Sequence, residues 1–363
     1  MSGIAFPDRP LARLPRWGAL VLLALLAGAM AWAAVSVGPV AQEAAPAETA
    51  DATELDDEDG GDLALYRRIS ERVTAGEGYY PAAMAEQRAG NYPTRPFVTV
   101  RLPTLATLHA IIGLQGANWL AMGLLLSAIL LFIHRLRALA QPAERIAAGV
   151  LLLLGGAAAI TPEAGLIHEL LAGLLLTLAL ALYDPARWWP ALLVAGLALA
   201  VRELALPFVL LWLAFALVDQ RWKEAAGIAA LLLVFAVGMY LHYLGVEAQR
   251  LPEDAASQGW AAFAGYSLPL YAIASLTALL FLPTWLAAPL AILPLLGWLG
   301  LGGRLGLFAT LWFAGFLTMV ALFARPENFY WVQLTLPALF AGFAFVPRAL
   351  ADLATALRGG TKA

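Results

Sequence analysis

The 363-residue chain has no cysteine, four histidines and few charged residues. The missing cysteines exclude disulfides, thiolate metal ligands and cysteine nucleophiles, leaving packing to hold the fold. The histidines (His109, His134, His168 and His242) form no HExxH-type pair, which speaks against a transition-metal enzyme. Asp, Glu, Lys and Arg make up 13% of the chain, where a soluble protein carries about a quarter, so an ordinary globular enzyme is excluded. There is also no internal repeat of the inverted-transporter kind. What the chain does have is apolar mass: 62% hydrophobic residues, 12 Trp and 16 Phe, with a mean hydropathy of +0.77. Several apolar runs approach the ~20 residues that a bilayer crossing needs, which implies an all-α, polytopic membrane protein. The formal net charge of −3 adds little.

Residues 1–16 carry Arg9, Arg13 and Arg16 ahead of an apolar run at 17–40. That basic flank predicts a cytoplasmic N-terminus and a first crossing. A signal peptide cleaved near Val40 or Ala41 is the competing reading, although the run is longer than the usual signal core. Residues 41–61 form an acidic, Ala/Glu/Pro-rich tract expected to be a disordered linker. Residues 62–116 read as a large extracytoplasmic loop carrying interfacial helices. In it Leu65, Ile69 and Val73 stand at i, i+4 and i+8 on an amphipathic helix over 63–75. A bundle over 117–346 and a cytoplasmic tail over 347–363 complete the organisation. Crossings are expected at 117–133, 146–160, 165–182, 191–201, 204–218 and 225–244. A half-inserted or amphipathic helix at 267–277 follows, then crossings up to Gly302, at 305–323 and at 328–346. The total is about ten spans. The basic turns then fall on the side of the N-terminus.

An ionisable residue at membrane depth is costly and is a functional candidate for that reason. Asp62, Arg101, Glu163, His168, Glu169, Arg202, Glu203, His242, Arg325 and Glu327 all fall at or near the extracytoplasmic side. Asp62, just before the amphipathic helix, is placed to take a proton from a bound hydroxyl, or simply to cap that helix. Arg202 and Arg325 flank spans, where each is either a phosphate ligand or a structural group: a partner of Glu203 in one case, a snorkelling side chain in the other. His168 and Glu169 read either as a buried contact between spans or as acceptor or metal ligands. Tyr79, Tyr80, Tyr92, Trp260, Tyr266, Phe329, Tyr330 and Trp331 share the outer side. An interfacial belt accounts for most of them, and sugar stacking or a lipid groove for the rest.

Asp62 stands four positions before Tyr66 on the first large outer loop, followed by Gly76-Glu77-Gly78-Tyr79-Tyr80-Pro81. This resembles the opening of the GT-C superfamily of integral-membrane glycosyltransferases, with Leu63 in place of a second acid. Arg101-Leu102-Pro103, Val201-Arg202-Glu203 and Arg325-Pro326-Glu327-Asn328-Phe329-Tyr330-Trp331 agree with the same architecture. The resemblance implies a polytopic fold with a catalytic outer loop, and inverting transfer of a sugar from a polyprenyl-phosphate donor to a lipid or glycan acceptor at the outer face of a bacterial inner membrane. Asp62 would be the base and Arg101, Arg202 and Arg325 the donor-phosphate ligands. Tyr66, Tyr80, His168, Glu169, Glu203, Asn328, Tyr330 and Trp331 would contact substrate. Some members use a divalent cation, Mg or Mn, an expectation weakened by Leu63. Membrane lipids are the other partners, and nucleic acid is not one. Two rival readings remain: a transporter or lipid flippase lined by the same charges, and an inactive scaffold of the same architecture.

Overall fold

The computed structural model describes residues 7–54, 61–260 and 262–359, with side chains omitted over 39–54. The elements in chain order are α1 (Arg16–Glu54), α2 (Gly61–Thr74), α3 (Tyr79–Ala89), α4 (Thr104–Arg135), α5 (Pro142–Gly155), α6 (His168–Leu182), α7 (Trp189–Val201) and α8 (Leu206–Val218). There follow α9 (Trp222–Glu247), α10 (Ser267–Ser275), α11 (Thr284–Leu290), α12 (Leu293–Leu301), α13 (Gly303–Phe323), α14 (Leu336–Ala341) and α15 (Val346–Leu357). Short 3-10 turns join several of them. Among the described residues no strand forms, and the only β-type pairings are two isolated bridges. The expected all-helical membrane architecture is what the chain adopts. Six described segments are long and apolar enough to cross a bilayer: Arg16–Gly38, Phe97–Ala138, Trp222–Glu247, Thr284–Leu301, Gly303–Phe323 and Leu336–Leu357. The apolar helices α6, α7 and α8 are shorter.

Proline explains where the pattern departs from simple spans. Pro190, Pro207, Pro294, Pro337 and Pro347 sit in the first turns of α7, α8, α12, α14 and α15. There the missing N–H costs nothing, whereas further along a helix it would break the ladder. The crossing expected at 328–346 is consequently interrupted. Pro326–Leu334 winds as a 3-10 segment, and the long apolar stretch begins only at Leu336. The expected tail over 347–363 is helical through Leu357, and residues 360–363 lie outside the described residues. α10 is buried along nearly its whole length, which does not fit an amphipathic surface helix. At the front, α4 starts at Thr104 rather than at 117 and breaks at Gly113. The run Leu105–Gly113 has no acidic or basic residue except His109 to hold it in water. α1 continues as helix through Glu54, into the tract expected to be disordered, in keeping with the high helix propensity of its Ala and Glu residues. The rest of that tract, residues 55–60, including the acidic run at 56–59, lies outside the described residues.

Ionised side chains collect at two opposite ends of the bundle. At one, Arg9 pairs with the buried Asp352, Arg348 with Glu144, Arg304 with Asp219, and Arg221 with Glu224, and a backbone bridge joins Asp8 to Gly302. This is the closed end, where the chain start meets α15. α13 leaves it at Gly303 and arrives beside Arg325 after 21 residues, a rise of about 31 Å. α4 runs the other way, from Thr104 to Arg135. The second end holds a cavity.

Candidate active site

Three segments build the cavity together with the stretch 87–101 and the α7–α8 corner. α2 places Asp62 in its first turn, where the helix dipole favours a carboxylate. Its inner face, Leu65 and Ile69, packs with Met84, Val100, Ala106 and Val246, the helical stripe that the sequence spacing predicts. The second segment is the 3-10 run Pro326–Leu334, pressed onto α6. A Cβ at Gly173 would stand 2.6 Å from the Gln333 carbonyl oxygen, so only glycine permits this approach. The third, residues 251–260, crosses over the top. It is tied down where Ser257 N donates to Arg95 O at 2.7 Å, and where Arg88 donates to Asp254 through Nε (2.6 Å) and Nη2 (3.0 Å). The Arg88 hydrogen bond is the main cause of Asp254 being pulled down to about 2.

The floor lies at the corner between α7 and α8. Each of these helices has 13 residues, a length of about 20 Å, against ~30 Å of bilayer hydrocarbon. The corner residue Arg202 is therefore set below the level that a full crossing reaches. The cavity is open on one side, has a volume of about 650 Å³, and is lined by Asp62, Tyr66, Arg101, Arg202, Arg325 and Tyr330 among others.

A continuous polar chain runs along its wall. Arg101 donates through Nε to the Tyr66 hydroxyl (2.9 Å) and through Nη2 to the Tyr330 hydroxyl (3.2 Å). The Tyr330 hydroxyl stands 3.3 Å from both Asp62 Oδ2 and Asn328 Oδ1. Burial raises the pKa of the Tyr66 phenol, and burial reinforced by Asp62 raises that of Tyr330. Both phenols therefore stay protonated and neutral. Behind them, Glu169 accepts from Arg202 Nε at 2.7 Å and lies 4.0 Å from Arg101 Nη2, while Arg202 Nη1 also contacts Glu203. Arg325 donates through Nε to Gly259 O (2.9 Å), contacts Gln258, and lies 3.9 Å from Glu327.

Asp62, Tyr66, Arg101, Arg202, Glu203, Arg325, Asn328, Tyr330 and Trp331 thus share one cavity wall. Three residues expected to contact substrate do not reach it. Tyr80 turns away against α9, its ring packed on Gly245, where a Cβ would collide, and near His242 with ring centroids 5.7 Å apart. The adjacent Tyr79 also misses the cavity wall, but its hydroxyl donates to Arg101 O at 2.5 Å. Successive positions on a helix point about 100° apart, and the Tyr79-Tyr80 pair gave no sign of which one would face inward. His168 is buried edge-on against Tyr66, with ring centroids 4.8 Å apart, and Glu169 lies behind the wall, joining α6 to the corner. Glu169 thus pairs across to Arg202, whereas His168 packs on α2 and its Nδ1 finds no hydrogen-bond partner among the described residues. The Arg202–Glu203 pair is likewise formed. Sequence reading passed over Gln87 and Gln258, which also line the cavity. Gln258, followed by Gly259 and Trp260 in a polar outer segment, was the one available signal.

The chain matches no family model, curated protein or solved structure in these comparisons. The cation implied by the family resemblance finds no suitable donor set. Among the described residues no three His, Asp or Glu side chains are grouped to hold an ion, and Leu63 is apolar where a second acid would stand.

Proposed function

We propose that the protein is an inverting glycosyltransferase of the GT-C kind, with about ten membrane-embedded segments and its cavity at the outer face of a bacterial inner membrane. The donor is a polyprenyl-phosphate-linked sugar and the acceptor a lipid or glycan hydroxyl. The observation that carries the reading is the shared cavity. It joins a carboxylate able to take a proton, Asp62, to guanidinium groups able to stabilise a leaving phosphate, while the two other carboxylates of the cavity, Glu203 and Glu327, lie beside Arg202 and Arg325. Arg101 and Arg325 suit the phosphate better than Arg202, which already contacts two carboxylates. A recessed corner also suits a donor whose anionic head sits at the membrane surface and whose chain lies in lipid. The transport alternative gains no support from the layer beneath. Below Glu169, α6 is buried along its length and carries only Leu, Ala, Gly and a single Thr177.

The test is transfer itself. Purified protein in liposomes receives a set of labelled polyprenyl-phosphate sugars and a membrane lipid and glycan extract. Label should move from donor to acceptor with inversion, and Asp62→Asn should stop it. Absence of transfer and of donor hydrolysis across the set would overturn the enzyme reading.

A further inference from the structure

We infer that Tyr330 and Asn328 are positioning residues that steer a single proton toward or away from Asp62. The inference rests on the glycosyl-transfer reading for its consequence, but on hydrogen-bond geometry for its existence.

Arginine only donates, so Arg101 Nη2, 3.2 Å from the Tyr330 hydroxyl, fixes that oxygen as its acceptor. One phenolic proton remains. Two acceptors stand equally near it: Asp62 Oδ2 and Asn328 Oδ1, each at 3.3 Å. One proton serves one of them well at a time, so the hydroxyl has two orientations. With the proton on Asp62, that carboxylate oxygen is occupied. With the proton on Asn328, it is open. An acceptor hydroxyl entering the cavity donates to Asp62 and drives the Tyr330 proton over to Asn328. The transfer then balances. The acceptor oxygen bonds to the anomeric carbon, its proton goes to Asp62, and the bond from that carbon to the phosphate oxygen breaks with its electron pair on the departing phosphate. Tyr330 keeps its own proton throughout and touches no reacting atom in this scheme. Asn328 acts through Tyr330, and Arg101 sets the direction of the whole arrangement.

Infrared spectra of ring-¹³C-tyrosine protein in liposomes test the switch without any substrate. The Tyr330 phenolic C–O band is assigned by its loss in Tyr330→Phe. Asn328→Leu should shift the band toward that of a phenol donating to a carboxylate, and Asp62→Leu should shift it the opposite way. A band unmoved by both changes overturns the inference. Turnover supplies the second arm, using whichever labelled polyprenyl-phosphate sugar the wild type accepts. Asn328→Leu should lower kcat about tenfold with the donor KM within about twofold, and Asn328→Ser, which keeps an oxygen acceptor, should restore kcat to within about threefold. Equal behaviour of Leu and Ser would also overturn it. If the wild type transfers no sugar, the functional reading fails while the infrared shifts still decide the switch.

Discussion

The two charged ends of the bundle use the same residue types in different ratios. At the closed end the ion pairs bridge distant parts of the chain: Arg9 with Asp352, Arg348 with Glu144, Arg304 with Asp219. Arg304 also lies over the rings of Tyr183 and Phe215. Such pairs hold elements together and leave little to rearrange. At the cavity end partners are shared. Glu169 serves two arginines, Arg202 contacts two carboxylates, and Arg101 rests on two neutral phenols with no carboxylate inside hydrogen-bond range. A buried cation held mainly by neutral groups gains the most from an incoming anion. The closed end is built as a fastening, and the cavity end as a receptor.

The comparison breaks first if Asp62 is dispensable. Asp62→Asn is expected to lower sugar transfer by about 10³-fold while the thermal unfolding midpoint stays within error, and a variant keeping a tenth of wild-type transfer would remove Asp62 from the chemistry. Next is Arg202, the member of the cavity set closest in behaviour to the closed end. Arg202→Met leaves Glu203 without its cation and Glu169 with only Arg101 at 4.0 Å, and should cost about 3–5 kcal/mol in a denaturant titration, with Glu169→Gln recovering part of it. A loss below about 1 kcal/mol would place Arg202 among the receptor groups instead. Acid offers a third probe. Asp254 has a folded pKa of about 2, below its unfolded value, so its stabilising effect is full above about pH 4 and fades as pH falls toward 2. Amide exchange over 251–260 should accelerate in that window, by the equivalent of about 2 kcal/mol, and Arg88→Ala should remove most of the pH dependence, the Leu251 N–H and Thr94 hydrogen bonds keeping the remainder. Pairing at the exposed rim should matter least. Arg250–Glu247 is well formed at 2.9 Å but solvated, and Arg250→Ala should change stability by no more than about 0.5 kcal/mol.

How much of this the sequence revealed depends on the kind of information each residue carries. Ionisable residues are scarce in this chain, so Asp62, Arg101, Arg202 and Arg325 stood out against an apolar background before their convergence was visible. The i, i+4, i+8 stripe of α2 was equally legible, because helical periodicity is local. The 3-10 winding of Pro326–Leu334 was not. The segment is apolar and aromatic enough to read as part of a span, and its close seat on α6 depends on Gly173 of that helix admitting its backbone. The same holds for Tyr80, whose direction is set by Gly245, and for Gln258, whose place depends on ties between residues 94–95 and 255–257. Each of these outcomes is decided by a neighbour more than a hundred residues away, and composition carries no trace of such neighbours.

The short corner helices also have a consequence for the surrounding lipid. α7 presents Leu193 and Leu197 outward, and α8 presents Leu210 and Leu217. A bilayer meeting this wall finds it about 10 Å shorter than its own hydrocarbon. Such hydrophobic mismatch is relieved by local thinning. The leaflet beside α7 and α8 would then dip, carrying its headgroups down toward Arg202. On the proposed glycosyl-transfer reading, the anionic head of the donor would reach the cavity through this thinned leaflet instead of being lifted into it.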